Sequence, residues 1–143
     1  MRNILAAAWA DDLSGRMTFP AYPQRRDAGA LPPFAVVRVP ELMQLSSGTD
    51  VWHGEVQVVV VHDIAPSGQT AGAVASHHGK VREVYHALEA TPRNGAVDVE
   101  RGIKLYGYEL HRHEEVQVQG PRGEKVYADV FHLTVGVGAY AEP

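Results

Sequence analysis

The chain of 143 residues contains no cysteine. Disulfide stapling and thiolate metal sites are therefore excluded, and packing alone must hold the core together. Long apolar runs are missing too: none approaches the ~20 residues that a membrane-spanning helix needs. No membrane association is expected. Basic charge is scarce, with 13 Lys and Arg against 17 Asp and Glu and a net charge of -4. General nucleic-acid binding draws on a surplus of cations that displace phosphate counterions, and this chain has none to spare. Ile4 to Ala10 is a short apolar run that Asp11 and Asp12 interrupt. It reads as the start of a folded helix rather than the apolar region of a signal peptide. Catalytic signatures are absent as well. There is no HExxH, no GxSxG elbow, no GxxxxGK[ST] loop and no GxGxxG after a strand. No enzyme activity and no cofactor are expected.

Hydrophobic residues make up 45% of the chain and charged residues 21%, which suits one folded domain spanning 1–143. Ile4, Leu5, Ala8, Trp9 and Leu13 fall at helical spacing before Gly15, a candidate helix terminator. Residues 16–33 are punctuated by Pro20, Pro23, Pro32 and Pro33 and read as an extended loop or arm. Arg25 and Arg26 form a small basic spot there, a candidate contact with an acidic partner.

Phe34 to Val39 and Trp52 to His62 are β-branched runs and predict two strands. Val59 and Val61 make the second strand apolar on both sides near its end, so that part should be covered on both faces. Ser67 or Thr70 is placed to cap a following helix, over about 73–90, whose apolar positions are Val74, His78, Val81, Val84, Tyr85 and Leu88. Thr91-Pro92 ends it, and Asn94-Gly95 signals a turn.

Lys104 to Gln119 alternates. Strict period two puts Tyr106, Tyr108, Leu110, Val116 and Val118 on a dry face and Glu109, His111, His113, Glu115, Gln117 and Gln119 on a wet one. A loop at Gly120 to Glu124 leads to a return strand from Tyr127 to Val137, and the residues from Gly138 onward form a fraying tail. The expected fold is α+β, a largely antiparallel or mixed sheet with helices packed on one face, in the order α-β-β-α-β-β.

The chain holds 8 histidines. His77 and His78 are adjacent, so on a helix they point ~100° apart and do not share a ligand. His111 and His113, with His62 or His132 from a neighbouring strand and Glu109 or Glu115 close by, are the candidate metal ligands. Two histidines on a strand fix no ligand number, so a solvated face is the preferred reading. Replacing His111 and His113 is then expected to leave folding intact.

The order of these parts resembles the tail terminators, also called tail-completion proteins, of long-tailed bacteriophages. The likeness rests on Ile4-Leu5-Ala6-Ala7-Ala8-Trp9, Leu31-Pro32-Pro33-Phe34-Ala35-Val36-Val37 and Trp52-His53-Gly54-Glu55-Val56-Gln57-Val58-Val59-Val60. It extends to the helix Val81-Arg82-Glu83-Val84-Tyr85-His86-Ala87-Leu88 and the last strand Val130-Phe131-His132-Leu133-Thr134-Val135. The resemblance implies a structural virion protein at the neck of the tail, assembled in the host cytoplasm. Six copies would form a ring that caps the tail tube, ends its polymerisation and offers a docking surface to the head connector. The implied partners are further copies of the chain, the major tail tube protein and the connector, with genomic DNA passing through the lumen without specific binding. Arg25, Arg26, Trp52, Glu109, His111 and His113 are the candidate partner contacts. Competing readings are a head-completion or neck protein of the same virion, a small His-dependent metalloenzyme, and a monomeric ligand-binding domain.

Overall fold

A computed structural model describes residues 1–25, 33–45, 50–62, 71–90, 96–98, 101–119 and 125–139. Arg26, the caps Ser67 and Thr70, the turn Asn94-Gly95, the loop Gly120 to Glu124 and the tail beyond Ala139 lie outside the described residues. Gly138 and Ala139, expected to open a fraying tail, are instead paired with Val51, Lys104 and Ile103. Among the described residues, two helices and six strands follow in the order α1 (Arg2–Ser14), β1 (Ala21–Pro23), β2 (Phe34–Gln44), β3 (Val51–Val61), α2 (Ala71–Ala90), β4 (Ala96–Asp98), β5 (Ile103–Gln119) and β6 (Lys125–Ala139). The sheet order is β1-β2-β3-β6-β5-β4. Among the described residues only the β1–β2 pair is parallel, so the sheet is mixed, as expected for the α+β class.

The element order differs from the expectation, because the prolines at 16–33 conceal a strand. Phe19 and Ala21 are buried in the core, and Ala21–Pro23 pairs with Ala35–Val37. Proline favours extended backbone in the residue before it, which here leads into pairing rather than away from it. Thr18 Oγ1 also donates to Glu83 of α2 at 2.7 Å. Up to Arg25 the segment is therefore anchored and is no free arm. Gln24 ends β1 in left-handed backbone (φ 63°), and its side chain accepts from Val39 N–H at 3.2 Å and donates to Asn3 at 2.9 Å. These two bonds offset the strain of a positive φ outside glycine.

β3 and β6 form the straight centre, in unbroken register from Val51↔Gly138 to Val61↔Ala128. Both helices cover one face. The core there joins Leu5, Trp9 and Leu13 of α1, Val84 and Leu88 of α2, and Val37, Val56, Val58, Val60, Phe131 and Leu133 of the sheet. The buried side of α1 is turned slightly from the expected stripe: Ala6 and Ala10 face inward, while Ile4 is 41% exposed. Trp9 meets Tyr108 edge-on at 5.2 Å, and the Tyr108 hydroxyl donates to the Leu88 carbonyl, which ties α2 to β5.

The other, helix-free face is divided. Near the end of β3 it carries a second apolar cluster, with Phe34, Val36, Val61, Val126 and Ala128 buried and Val59 packed against them. This is the two-sided burial anticipated for the end of that strand. The remainder of the face is polar.

Register shifts interrupt the flanking strands, between Arg38 and Glu41 in β2 and at Leu105/Gly107 and Leu110/Arg112 in β5. Beside the first shift, a Cβ on Gly54 would come within 2.1 Å of the Glu41 carbonyl, so only glycine permits this approach of β2. The shifts in β5 move its side chains between faces. Tyr106, expected to be dry, is 45% exposed and lies over Gly138, where a Cβ would meet its ring at 2.6 Å. Val116, expected beside Tyr108, packs on the opposite face against the second cluster.

Leu88 is 3% exposed and Val84, Val58 and Val60 are fully buried, which places α2 against the sheet as expected. Leu88→Ala should destabilise the fold by about 2–5 kcal/mol, through lost transfer energy and a residual cavity. Chemical denaturation of the two proteins measures it.

Candidate functional site

The polar half of the helix-free face is built around His132 on β6. Its register partners are Gln57 on β3 and Arg112 on β5, so it sits mid-sheet, and it is 5% exposed. Nδ1 donates to Glu55 Oε1 at 2.6 Å and Nε2 to Glu114 Oε1 at 2.8 Å. Carboxylate oxygens only accept, so each bond is donated by a ring N–H. One imidazole thereby clamps β3, β6 and β5 together. Arg112 Nη2 lies 3.3 Å from Glu114 and completes the group. The hydrogen bond from His132, opposed by desolvation and assisted by the charges of Arg112 and His132, holds the Glu114 carboxyl below the usual carboxylate range.

Beside this clamp a cleft of about 430 Å³ crosses the sheet, lined among others by Glu41, Met43, His53, Glu55, His111 and Thr134. Its rim carries Met43 and Leu45, which are 61% and 65% exposed.

A second polar group lies under α2 on the covered face. Asp129 is 3% exposed and His62 is fully buried. Asp129 Oδ2 accepts from His62 Nε2 at 2.5 Å, and Oδ1 accepts from His113 Nε2 at 2.6 Å. His113 Nδ1 is then left to accept from the Tyr85 hydroxyl of α2 at 2.8 Å. The His113 ring stacks on Phe131, with centroids 4.3 Å apart and planes 8° apart. Tyr85, His113, Asp129 and His62 thus form one hydrogen-bonded chain from helix to sheet. A buried carboxylate accepting two such bonds is compensated; the same carboxylate without them is not.

This geometry corrects the expected wet face. The shift at Leu110/Arg112 places His113 on the helix-covered side, while His111 stays exposed at the shift itself. Glu109 pairs with Thr134 on the helix-free face, but Glu115 pairs with Asp129 and falls on the other side. His113 is held in this buried chain, so its replacement should destabilise the fold, where the wet-face reading expects no effect. The candidate metal set is dispersed in the same way: His62 and His113 lie under α2, and His132 lies on the open face. Among the described residues no group of three or more His, Asp or Glu has the arrangement to hold a metal ion.

Of the other candidate contacts, Arg25 and Glu109 are exposed, Trp52 is half-buried against the core, and Arg26 is outside the described residues. Sequence reading missed Asp129, Glu55 and Glu114 as the partners of the histidines. Asp129 did leave a signal, being a carboxylate inside the apolar run Val126 to Val137.

No protein-family model matches the chain, and no curated protein matches it significantly.

Two outcomes follow from these clusters. Asp129→Ala removes the shared acceptor of two imidazoles and should cost about 3–5 kcal/mol in denaturant unfolding, as expected for a broken buried pair. Glu114 contributes stability above the usual carboxylate pKa, because its charged form is favoured in the folded state, and that contribution fades as pH falls through the lowered folded value. A carboxyl-carbon NMR titration should place Glu114 below the ~4.3 of an ordinary glutamate. In His132→Ala it should move back up.

Proposed function

We propose that this protein is the subunit of a ring that caps a bacteriophage tail tube. As a tail terminator it ends polymerisation of the tube protein and presents a docking surface to the head connector. The observation that supports this best is the unequal finish of the sheet's two flanks. β1 covers β2 only over Ala35–Val37, and β4 covers β5 only over Ile103–Leu105. Among the described residues, no other strand lies outside β2 or β5. Partly uncovered outer strands are ready-made pairing surfaces. Two different surfaces on opposite flanks fit the head-to-tail joint that closes a ring, whereas a two-fold dimer joins like to like.

The flanks also carry devices against uncontrolled pairing. Both outer strands shift register, Pro40 offers no N–H, and at Val39 the side chains of Gln24 and Arg2 take the outward N–H and carbonyl. Such an edge accepts a shaped partner and resists random ones. A net charge of -4 suits a lumen through which DNA passes without being gripped.

Mass measurement over a range of concentrations, with and without tube protein, tests the proposal. A species of six times the 15.6 kDa protomer is expected, as is a six-fold ring at tube ends in electron micrographs. A strict monomer that never decorates tube ends would refute it.

A further inference from the structure

The register of the sheet shows how two flanks would meet. Tyr22 and Pro23 of β1 lie level with Val36 and Val37, hence with Val59 and Val58, Val130 and Phe131, and finally Glu114 and His113 of β5. Ala96 of β4 lies level with Leu105, hence with Val137, Trp52 and Gln44 of β2. The two short strands therefore cover opposite ends of the two flanks. One flank is stepped at the level of residues 35–37, and the other at the level of residues 103–105. Rotation about an axis parallel to the strands preserves both level and direction. In a ring of that kind, β1 of one copy enters the step left open on β5 of the next, antiparallel to it. β4 takes the other half of the same lane, beside β2.

Charge supports the same joint. Arg25 is exposed at the end of β1, and Glu109 is exposed on β5. Neither has an ion-pair partner among the described residues. Glu109 is level with Thr134, Glu55 and Glu41. Arg25 follows Pro23 by two residues, across a tight turn at Gln24 (φ 63°) that the Arg25 N–H closes onto the Pro23 carbonyl at 2.7 Å. Across the joint, the exposed cation at the end of β1 of one copy faces the flank of the next that carries the exposed Glu109, neither with an ion-pair partner among the described residues. Arg112, the nearest like charge on β5, is held by Glu114 at 3.3 Å.

We infer that the partner of the β1 flank is the β5 flank of a second copy of this chain, with Arg25 of one copy paired to Glu109 of the next. The inference rests on the ring proposed above and adds its interface. Edge pairing supplies main-chain hydrogen bonds, and the ion pair sets the height at which they form.

The absence of cysteine makes the test direct. Arg25→Cys, Glu109→Cys and the double variant are treated with a short bis-maleimide. The double variant should give a ladder of linked protomers ending at six, and each single variant only labelled monomers. Arg25→Glu should lower the ring fraction most strongly at low salt, and adding Glu109→Arg should restore it. If the double variant forms rings by mass but gives no ladder, this interface is wrong and the ring stands. If single variants link, the joint is two-fold and the inference falls. If the unmodified protein neither forms rings nor caps tubes, both readings fail together.

Discussion

Everything else in this fold is referred to the pairing of β3 with β6. These strands are distant in sequence and meet without a single slip from Val51↔Gly138 to Val61↔Ala128. Unbroken pairing fixes which side chains share a face along the whole centre of the sheet. It puts Val56, Val58, Val60, Phe131 and Leu133 under the helices, and Glu55, Gln57, His132 and Thr134 on the opposite side. The outer strands are free to slip against this rule, and both do. The centre supplies rigidity, and the flanks supply shape.

The two faces solve the same electrostatic problem differently. Asp129 sits in the apolar core, where an unpartnered carboxylate would be strongly penalised, and it is met by two imidazoles. His132 sits near the surface between two carboxylates that water also reaches. The first cluster ties α2 to the sheet by way of Tyr85, and the second ties three strands to one another. Loss of the buried group should therefore be felt through the whole domain. Loss of the surface group is confined to strand alignment and to local titration, since solvent screens what remains.

For a ring subunit, such a division is useful. A sheet clamped on both faces keeps its flanks at fixed levels, and a joint that depends on matching steps needs those levels to be constant. The helices take no part in the proposed joint; their task is to bury one face. The apolar rim formed by Met43 and Leu45 lies at the end of the sheet away from the second apolar cluster. Ring formation along the flanks leaves that end uncovered.

The chain read alone disclosed the class of the fold, both helices, the four long strands (β2 only as far as Val39) and the burial of Leu88, Val58 and Val60. Those features depend on local periodicity, which the chain displays directly. The cover on both sides of Val61 was legible for the same reason. Which residues join in polar clusters depended on how the strands pack. Alternation along β5 is a safe guide only while pairing is regular, and two register shifts reassign Tyr106, His113, Glu115 and Val116. Those shifts arise from how β5 lies against β6, including the space over Gly138 that the Tyr106 ring occupies. β1 was hidden for a related reason. Its prolines signal a loop when the segment is read alone, and only the presence of Ala35–Val37 beside it makes three residues a strand. His62 lies just past β3, His113 on β5 and Asp129 on β6, and a hydrogen bond between residues so far apart leaves no periodic mark in the chain.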